Sequence, residues 1–208
     1  EPCSQNTAAA IAYASLYAKE NFGEDALLWI LPADHYVQDN EALKNLLSDA
    51  RNTIPENAIL TFGITPTSPE TGYGYIKVSN NKNPIKKIEN FTEKPDLTLA
   101  QNYIATGDYF WNSGMFLATA KTLINEYIEH SYEIVSVLHK GFEDNIALEK
   151  IYATLPHIPF DQAIMEKTSN AYMMPCDIGW SDIGTWQSVW HAKTKDGNGN
   201  ATHGSTAS

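Results

Sequence analysis

Two short apolar runs flank an amphipathic segment in the first third of the chain, and this order constrains the fold more than any other feature. The runs, residues 26–31 and 58–64, have the length and composition of buried strands. The segment between them extends from Asp39 to about Arg51, begins with a good capping residue and carries apolar side chains at helical spacing. This strand–helix–strand order predicts a right-handed βαβ unit and a parallel sheet.

The rest of the chain continues the α/β pattern without a repeat or a clear domain linker. Strands are predicted at residues 75–78, 85–94, 109–118 (in two halves broken at 112–114) and 171–176. Helices are predicted from a cap at Asn6 or Thr7 to Gly23, at 96–106, in three pieces over 120–155, at 160–167, and from a cap at Ser181 or Asp182 to 192. We therefore expect a domain over residues 1–192 and a Gly/Ser/Asn-rich tail over 193–208.

Composition excludes several classes of protein. With 14 basic and 25 acidic residues, the net charge of −11 argues against a nucleic-acid partner. Hydrophobic residues make up 43% of the chain, which is enough for a core, and no apolar run has the length of a membrane span. Cys3 and Cys176 form no disulfide framework and no metal-binding spacing. Together with the lack of a signal-like segment, this predicts a cytoplasmic protein with no membrane partner.

Two aspartates follow predicted strands and are candidate metal ligands. Asp34 lies just after the first apolar run, and ligands of open parallel sheets bind outside the carboxyl ends of the strands. A carboxylate there can hold Mg²⁺ together with phosphate oxygens, although a turn or cap role is equally consistent with the pattern. Asp182 lies between Gly179 and Gly184, where it could bind a ligand or cap the last helix.

Three further segments have the chemistry of a sugar site. They are TGYGYIK (71–77), EKP (93–95) and WNSGMF (111–116). A carboxylate, an amide and glycine backbone beside aromatic rings supply the directional hydrogen bonds and the apolar platform that sugar hydroxyls need. Each segment also has a plainer interpretation, as turn glycines or as a solvated ion pair.

In order along the chain, seven segments resemble the sugar-1-phosphate nucleotidyltransferase family and, within it, the mannose-1-phosphate guanylyltransferases. They are EPxxxNTA, LPADH, ETGYGYI, FTEKPD, YxWNSGMF, FDQAIMEK and GWSDIGTW, from Glu1 to about Trp190. The resemblance implies a doubly wound, mostly parallel (mixed) sheet with helices on both faces, as in nucleotide-diphospho-sugar transferases. It also implies GTP and mannose 1-phosphate as substrates, GDP-mannose as product, Mg²⁺ as cofactor, and in-line attack at the α-phosphorus without a covalent enzyme intermediate.

The same resemblance implies a role for each matching residue. Asp34 and Asp182 would hold the metal, and Lys94 would contact the sugar phosphate or the α-phosphate. Glu1 would read guanine by accepting from N1–H and the 2-amino group. The other implied roles are nucleotide binding by Pro2, Asn6, Thr7 and Ala8, sugar binding by Gly74, Glu93 and Asn112, and support of the sugar pocket by Asp161 and Glu166. We expect His35 to be structural.

The sequence departs from the family in one large respect, because the Gly-rich phosphate loop with its Arg and Lys does not occur. We therefore expect an N-terminally truncated, inactive fragment that retains weak affinity for mannose 1-phosphate. An exposed sheet edge in such a fragment would favour a homo-oligomer. Two alternatives remain open: transfer to another sugar 1-phosphate, and a non-catalytic sugar-nucleotide-binding subunit. Glu1 favours guanine, and retention of both Asp34 and Asp182 argues against a pure binding protein.

Overall fold

The computed structural model describes residues 1–79, 82–144 and 146–201, which form a mixed sheet with helices on both faces. The helices are α1 (Asn6–Phe22), α2 (Asn40–Thr53), α3 (Leu97–Thr106), α4 (Ala120–His130), α5 (Tyr132–Glu143), α6 (Leu148–Tyr152) and α7 (Trp186–Ala192), with a π-helical turn at Asp161–Met165. The strands are β1 (Leu27–Ile30), β2 (Tyr36–Val37), β3 (Ile59–Ile64), β4 (Tyr75–Val78), β5 (Lys86–Thr92), β6 (Tyr109–Thr119), β7 (Ala171–Cys176) and β8 (Trp180–Ser181).

The main sheet has the order β1-β6-β3-β7-β5-β4, and β4 also pairs with β6. The expected mixed α/β sheet is confirmed, and β1, β3, β7 and β4 run in the same direction. Among the described strands, however, only β3 and β7 are parallel neighbours. The two strands of the predicted βαβ unit, β1 and β3, run in the same direction but are not neighbours, because antiparallel β6 lies between them and buries both of its faces there.

Strand β6 is continuous where a break was expected at residues 112–114. Its pairing with β3 shifts in this region: Thr61 lies opposite Phe116, whereas Gly63 lies opposite Asn112. Two steps along β3 therefore match four along β6, which is a bulge. Gly114 lies inside the bulge with φ +71°, a conformation that glycine adopts without strain.

Strand β1 is more exposed than its apolar sequence predicts. Leu27 is 38% exposed, and Leu28, Trp29 and Ile30 are half-buried. Among the described strands β1 pairs with β6 alone, so it lies at an edge of the sheet, where burial is incomplete.

The helix caps agree with the sequence in part. Asp39 caps α2 by accepting the backbone N–H of Ala42 at 2.9 Å, as expected. The last helix begins at Trp186 and is capped by Thr185, not by Ser181 or Asp182 as predicted. The reason is that Ser181 lies in β8, whose pairing with β2 keeps the chain extended there.

The start of α1 also differs from the prediction. Neither Asn6 nor Thr7 caps the helix by the expected hydrogen bond. The Asn6 side chain accepts the adjacent Thr7 N–H, and the Thr7 hydroxyl accepts the backbone N–H of Phe160 at 2.8 Å. Thr7 therefore ties α1 to the segment that precedes the π-helical turn.

Two apolar layers cover the two faces of the sheet. On one face Phe116 and Ala118 of β6 pack with α1, α4 and α5, and on the other Met115 and Leu117 pack with α2. This alternation follows from the period of two along a strand. Within the described residues, none of the helices has both the length and the apolarity to cross a bilayer.

Candidate functional site

A cleft of about 470 Å³ opens beyond the carboxyl end of β1. Eight residues with predicted site roles line it: Thr7, Asp34, Gly74, Glu93, Lys94, Asn112, Asp161 and Asp182. Five others lie outside its lining: Glu1, Pro2, Asn6, Ala8 and Glu166. The fold therefore brings together the residues predicted to hold metal and sugar, whereas Thr7 alone represents the predicted nucleotide set.

The β2–β8 ribbon brings the two candidate metal ligands to the same end of the cleft lining. Tyr36 pairs with Ser181 in antiparallel register, so Asp34, two residues before Tyr36, and Asp182, directly after Ser181, lie at the same end of the ribbon. Carboxylate oxygens suit Mg²⁺, which commonly takes one or two of them together with phosphate oxygens and water. In the described part of the chain no group of three or more His, Cys, Asp or Glu side chains is placed to hold a metal. A cation here would therefore also depend on ligand oxygens.

His35, as a neutral imidazole, links the start of β2 to β8. Its Nδ1 accepts a hydrogen bond from Trp180 Nε1 at 3.1 Å, and the two rings meet edge-on with centroids 5.3 Å apart. Burial lowers the pKa of His35, and this effect outweighs the nearby charges of Asp34 and Asp182, which act in the opposite direction. The structural role expected for His35 is consistent with these contacts.

Asp182 is held by two donors on one oxygen. The Tyr73 hydroxyl donates to Asp182 Oδ1 at 2.9 Å, and the Gly184 backbone N–H donates to the same oxygen at 3.0 Å. Burial, together with the hydrogen bond to Asp182, raises the pKa of Tyr73 well above its ordinary value. Tyr73 therefore keeps its proton and remains a donor.

Glu93 and Asp161 form a second acidic pair in the lining of the cleft. Burial and the nearby Asp161 raise the pKa of Glu93 to about 7, although Lys94, with Nζ 3.6 Å from Glu93 Oε1, partly opposes the shift. Burial also raises the pKa of Asp161 to about 6. Glu166, outside the cleft lining, accepts the Glu93 backbone N–H at 3.2 Å and so fixes the chain behind it.

Asn112 is oriented by partners on both sides of its amide. Its Nδ2 donates to Asp161 Oδ1 and its Oδ1 accepts from the Thr61 hydroxyl, both at 2.8 Å. Its backbone N–H donates to the Gly74 carbonyl, also at 2.8 Å. This arrangement leaves one amide hydrogen of Asn112 for a ligand hydroxyl.

Gly74 allows three segments to approach one another. A Cβ at this position would lie 2.8 Å from Glu93 Oε2, 3.2 Å from Phe91 Cζ and 3.3 Å from Asn112 Cβ. Glycine is therefore required for close packing, because any side chain would displace the carboxylate and the amide together.

The predicted nucleotide residues have other partners in this structure. The Glu1 carboxylate accepts the Tyr152 hydroxyl at 3.0 Å. The Ala8 amide, expected to support the base, donates instead to the Ile158 carbonyl at 3.3 Å. The reading of guanine by Glu1 remains a prediction.

Sequence reasoning did not assign roles to Tyr73, Trp180 and Thr61. Tyr73 and Trp180 lie within motifs that were identified, and their positions beside glycines were the available signal. Thr61 is the one hydroxyl residue in an otherwise apolar strand, and it is fully buried. A polar side chain in such a strand needs a partner, which here is Asn112.

Comparison with known proteins identifies the family. The sequence matches the Nucleotidyl transferase family over residues 1–199. It is 43% identical to the xanthan biosynthesis protein XanB of Xanthomonas campestris pv. campestris (strain B100), over 98% of this chain and 45% of that protein. It is 38% identical to the mannose-1-phosphate guanylyltransferase of Escherichia coli (strain K12), over 98% of this chain and 45% of that one. The chain thus spans about half the length of the curated relatives it matches.

A solved structure from Thermus thermophilus, described as a mannose-1-phosphate geranyltransferase, has the same fold with a TM-score of 0.86. It is 32% identical in sequence, and the match covers 94% of this chain and 57% of that one. The family match over nearly the whole chain and the agreement in fold lead to one conclusion. The chain belongs to the nucleotidyl transferase family.

Proposed function

We propose that this chain carries the sugar and metal sites of a mannose-1-phosphate guanylyltransferase, which forms GDP-mannose and diphosphate from GTP and α-D-mannose 1-phosphate. One observation carries the proposal: a single cleft is lined by the Asp34 and Asp182 carboxylates and by Glu93, Asn112 and Lys94. Relatives that share 38% of the sequence and bear this name support the choice of sugar and nucleotide.

On this proposal the residues of the chain position two anionic substrates for in-line attack. The Lys94 ammonium, 64% exposed at the cleft, meets the phosphate of the sugar. Asp34 and Asp182 would hold Mg²⁺, which offsets negative charge on the phosphates when it is bound. The sugar phosphate oxygen attacks the α-phosphorus and diphosphate leaves, so the enzyme forms no covalent bond.

The sugar hydroxyls would be recognised beside Lys94, whose ammonium lies 3.6 Å from Glu93 Oε1. The free amide hydrogen of Asn112 donates, and the Glu93 carboxylate accepts once it is ionised. Because its pKa is raised to about 7, the acceptor form of Glu93 becomes dominant only above neutral pH. Sugar affinity that depends on Glu93 should therefore rise between about pH 6 and pH 8.

We extend the proposal to nucleotide choice and to location. Glu1 would select guanine, since a carboxylate accepts from both N1–H and the 2-amino group. The carboxylate is exposed, and the Tyr152 hydroxyl holds one of its oxygens. A cytoplasmic location is supported by GTP as a substrate and by Cys3, an exposed free thiol.

The experiment is a tryptophan-fluorescence titration of the 208-residue chain with mannose 1-phosphate in the presence of Mg²⁺, compared with glucose 1-phosphate. Trp180 lines the cleft and reports on binding. We expect a preference for the mannose ligand and, at pH 8, where Glu93 is mostly ionised, roughly tenfold weaker binding by Glu93→Gln, because a neutral acceptor replaces a charged one. Glu89→Gln is the matched control, since Glu89 is half-exposed on β5, the strand that ends just before Glu93, and pairs only loosely with Lys77, at 3.9 Å. Equal affinity for both sugars, unaffected by Glu93→Gln, would contradict the proposal.

A further inference from the structure

Tyr73 links two sets of residues in the cleft: Gly74 and Asn112, which are predicted to bind the sugar, and Asp182, which is predicted to bind the metal. It precedes Gly74, whose carbonyl accepts the backbone N–H of Asn112. Its ring lies edge-on between Trp111 and Trp180, with centroid distances of 5.0 and 5.3 Å. Because the ring is packed from two sides, the hydroxyl has a defined position in the cleft.

The hydroxyl and a backbone amide together determine how Asp182 is oriented. Both Tyr73 and Gly184 donate to Oδ1 of the carboxylate, at 2.9 and 3.0 Å. With two donors on Oδ1, a cation beside this carboxylate would meet Oδ2. Mg²⁺ requires near-ideal octahedral geometry, so its affinity is sensitive to the orientation of each carboxylate.

We propose that Tyr73 is a positioning residue for Asp182: its hydroxyl engages Oδ1 and thereby directs Oδ2 to the cation. The inference rests on the proposed function, because it takes Asp182 to be a metal ligand. Hydrogen-bond partners of metal-ligating carboxylates typically contribute about 10–100-fold to metal affinity. If Tyr73 acted only through packing, removal of its hydroxyl would leave metal affinity unchanged, because the ring contacts Trp111 and Trp180 whether or not the hydroxyl is present.

Tyr73→Phe separates these two roles, because it removes the hydroxyl and keeps the ring. The probe is Tb³⁺, a hard cation whose luminescence is excited through nearby indoles, and Trp180 is two residues from Asp182. Titration of the 208-residue chain with Tb³⁺, followed by displacement with Mg²⁺, measures affinity without any catalytic readout. We expect Tyr73→Phe to bind Tb³⁺ about tenfold more weakly. We also expect its luminescence lifetime to be shorter in H₂O than that of the wild type, because a water ligand replaces the misplaced carboxylate oxygen.

Two controls define the result. Tyr172→Phe makes the same chemical change on β7, outside the cleft lining, and should bind Tb³⁺ as the wild type does. Asp182→Asn should abolish the Tb³⁺ site. If Asp182→Asn abolishes binding while Tyr73→Phe retains wild-type affinity, the role of Tyr73 is refuted and the proposed metal site stands. If Asp182→Asn binds like the wild type, the metal site fails, and the inference fails with it.

If Tyr73→Phe does not fold, a ¹⁹F NMR measurement on a protein that keeps the Tyr73 hydroxyl tests the same inference. The chain is prepared with 3-fluorotyrosine at position 73, which keeps both the ring and the hydroxyl. Titration with diamagnetic La³⁺ should shift its ¹⁹F resonance, because the hydroxyl contacts the carboxylate that takes the cation. A resonance that does not move while La³⁺ saturates the site would overturn the inference.

Discussion

The buried carboxyl group of Asp161 makes the stability of the fold depend on pH in a direction opposite to that of most acidic residues. Burial raises its pKa from 3.8 to about 6, even though Asn112 donates to it. A carboxyl group with a higher pKa in the folded state binds protons preferentially when folded. Its contribution is therefore most favourable below about pH 4 and is lost as the pH rises to about 6. Two pKa units correspond to at most about 3 kcal/mol.

Asp161→Asn tests this reasoning, because an amide oxygen can still accept from Asn112 but carries no charge. Relative to the wild type, the variant should gain up to about 3 kcal/mol in free energy of unfolding between pH 4 and pH 7.5. Urea unfolding at several pH values and constant ionic strength measures this difference. Comparing the two proteins at each pH cancels the titration of other carboxylates, except that of Glu93, whose pKa Asp161 also raises.

Asp108→Asn is the matched control, since Asp108 is exposed at the turn before β6. It should follow the pH dependence of the wild type within about 0.5 kcal/mol. If Asp161→Asn does so as well, Asp161 is not the buried acid that the structure indicates.

Two further substitutions test how the site is supported. Gly179→Ala should lower the free energy of unfolding by about 1–3 kcal/mol, measured by urea titration, because φ is +61° there and the new Cβ would lie 2.6 Å from Gln38 Cβ. Gly197→Ala is the control and should change the free energy of unfolding little, because a Cβ there meets nothing within 4 Å. Equal stability of the two variants would contradict the expected strain at Gly179. Tyr127→Phe should cost about 1–3 kcal/mol in thermal or urea unfolding, because it leaves the buried Ala8 carbonyl without the hydroxyl that donates to it at 2.6 Å. A neutral effect would show that this hydrogen bond does not stabilise the fold.

The elements that were predicted correctly are those whose determinants are local. Helix α2 has its cap, its apolar stripe and its end within a short stretch of sequence, and Asp39 makes the expected bond. The neighbours of a strand are not encoded in that way. Strand β6 has apolar residues on both faces, which indicates that it is central, but nothing in its own residues specifies that it separates β1 from β3.

The same distinction applies to the site. Resemblance located Asp34, Asp182, Glu93 and Asn112, and the fold brings all four to one cleft. Local sequence could not decide whether Asp182 caps a helix or faces a ligand, because an aspartate at a turn before a helix suits both roles. The structure separates them: Thr185 caps the helix, and Asp182 accepts from Tyr73.

The cleft contains two pairs of carboxyl groups, Glu93 with Asp161 and Asp34 with Asp182, whose surroundings differ. Four carboxyl groups line it, and among the described residues that do so Lys94 is the sole Lys or Arg. Asp161 and Glu93 reduce their mutual repulsion by raised pKa values, so that this pair can stay partly neutral. Asp34 is exposed and Asp182 is half-buried at one end of the ribbon. On the proposed function, a sugar phosphate entering this cleft would be repelled by Asp34 and Asp182, and a bound cation would offset that repulsion, so metal binding and substrate binding should be coupled before any chemistry begins.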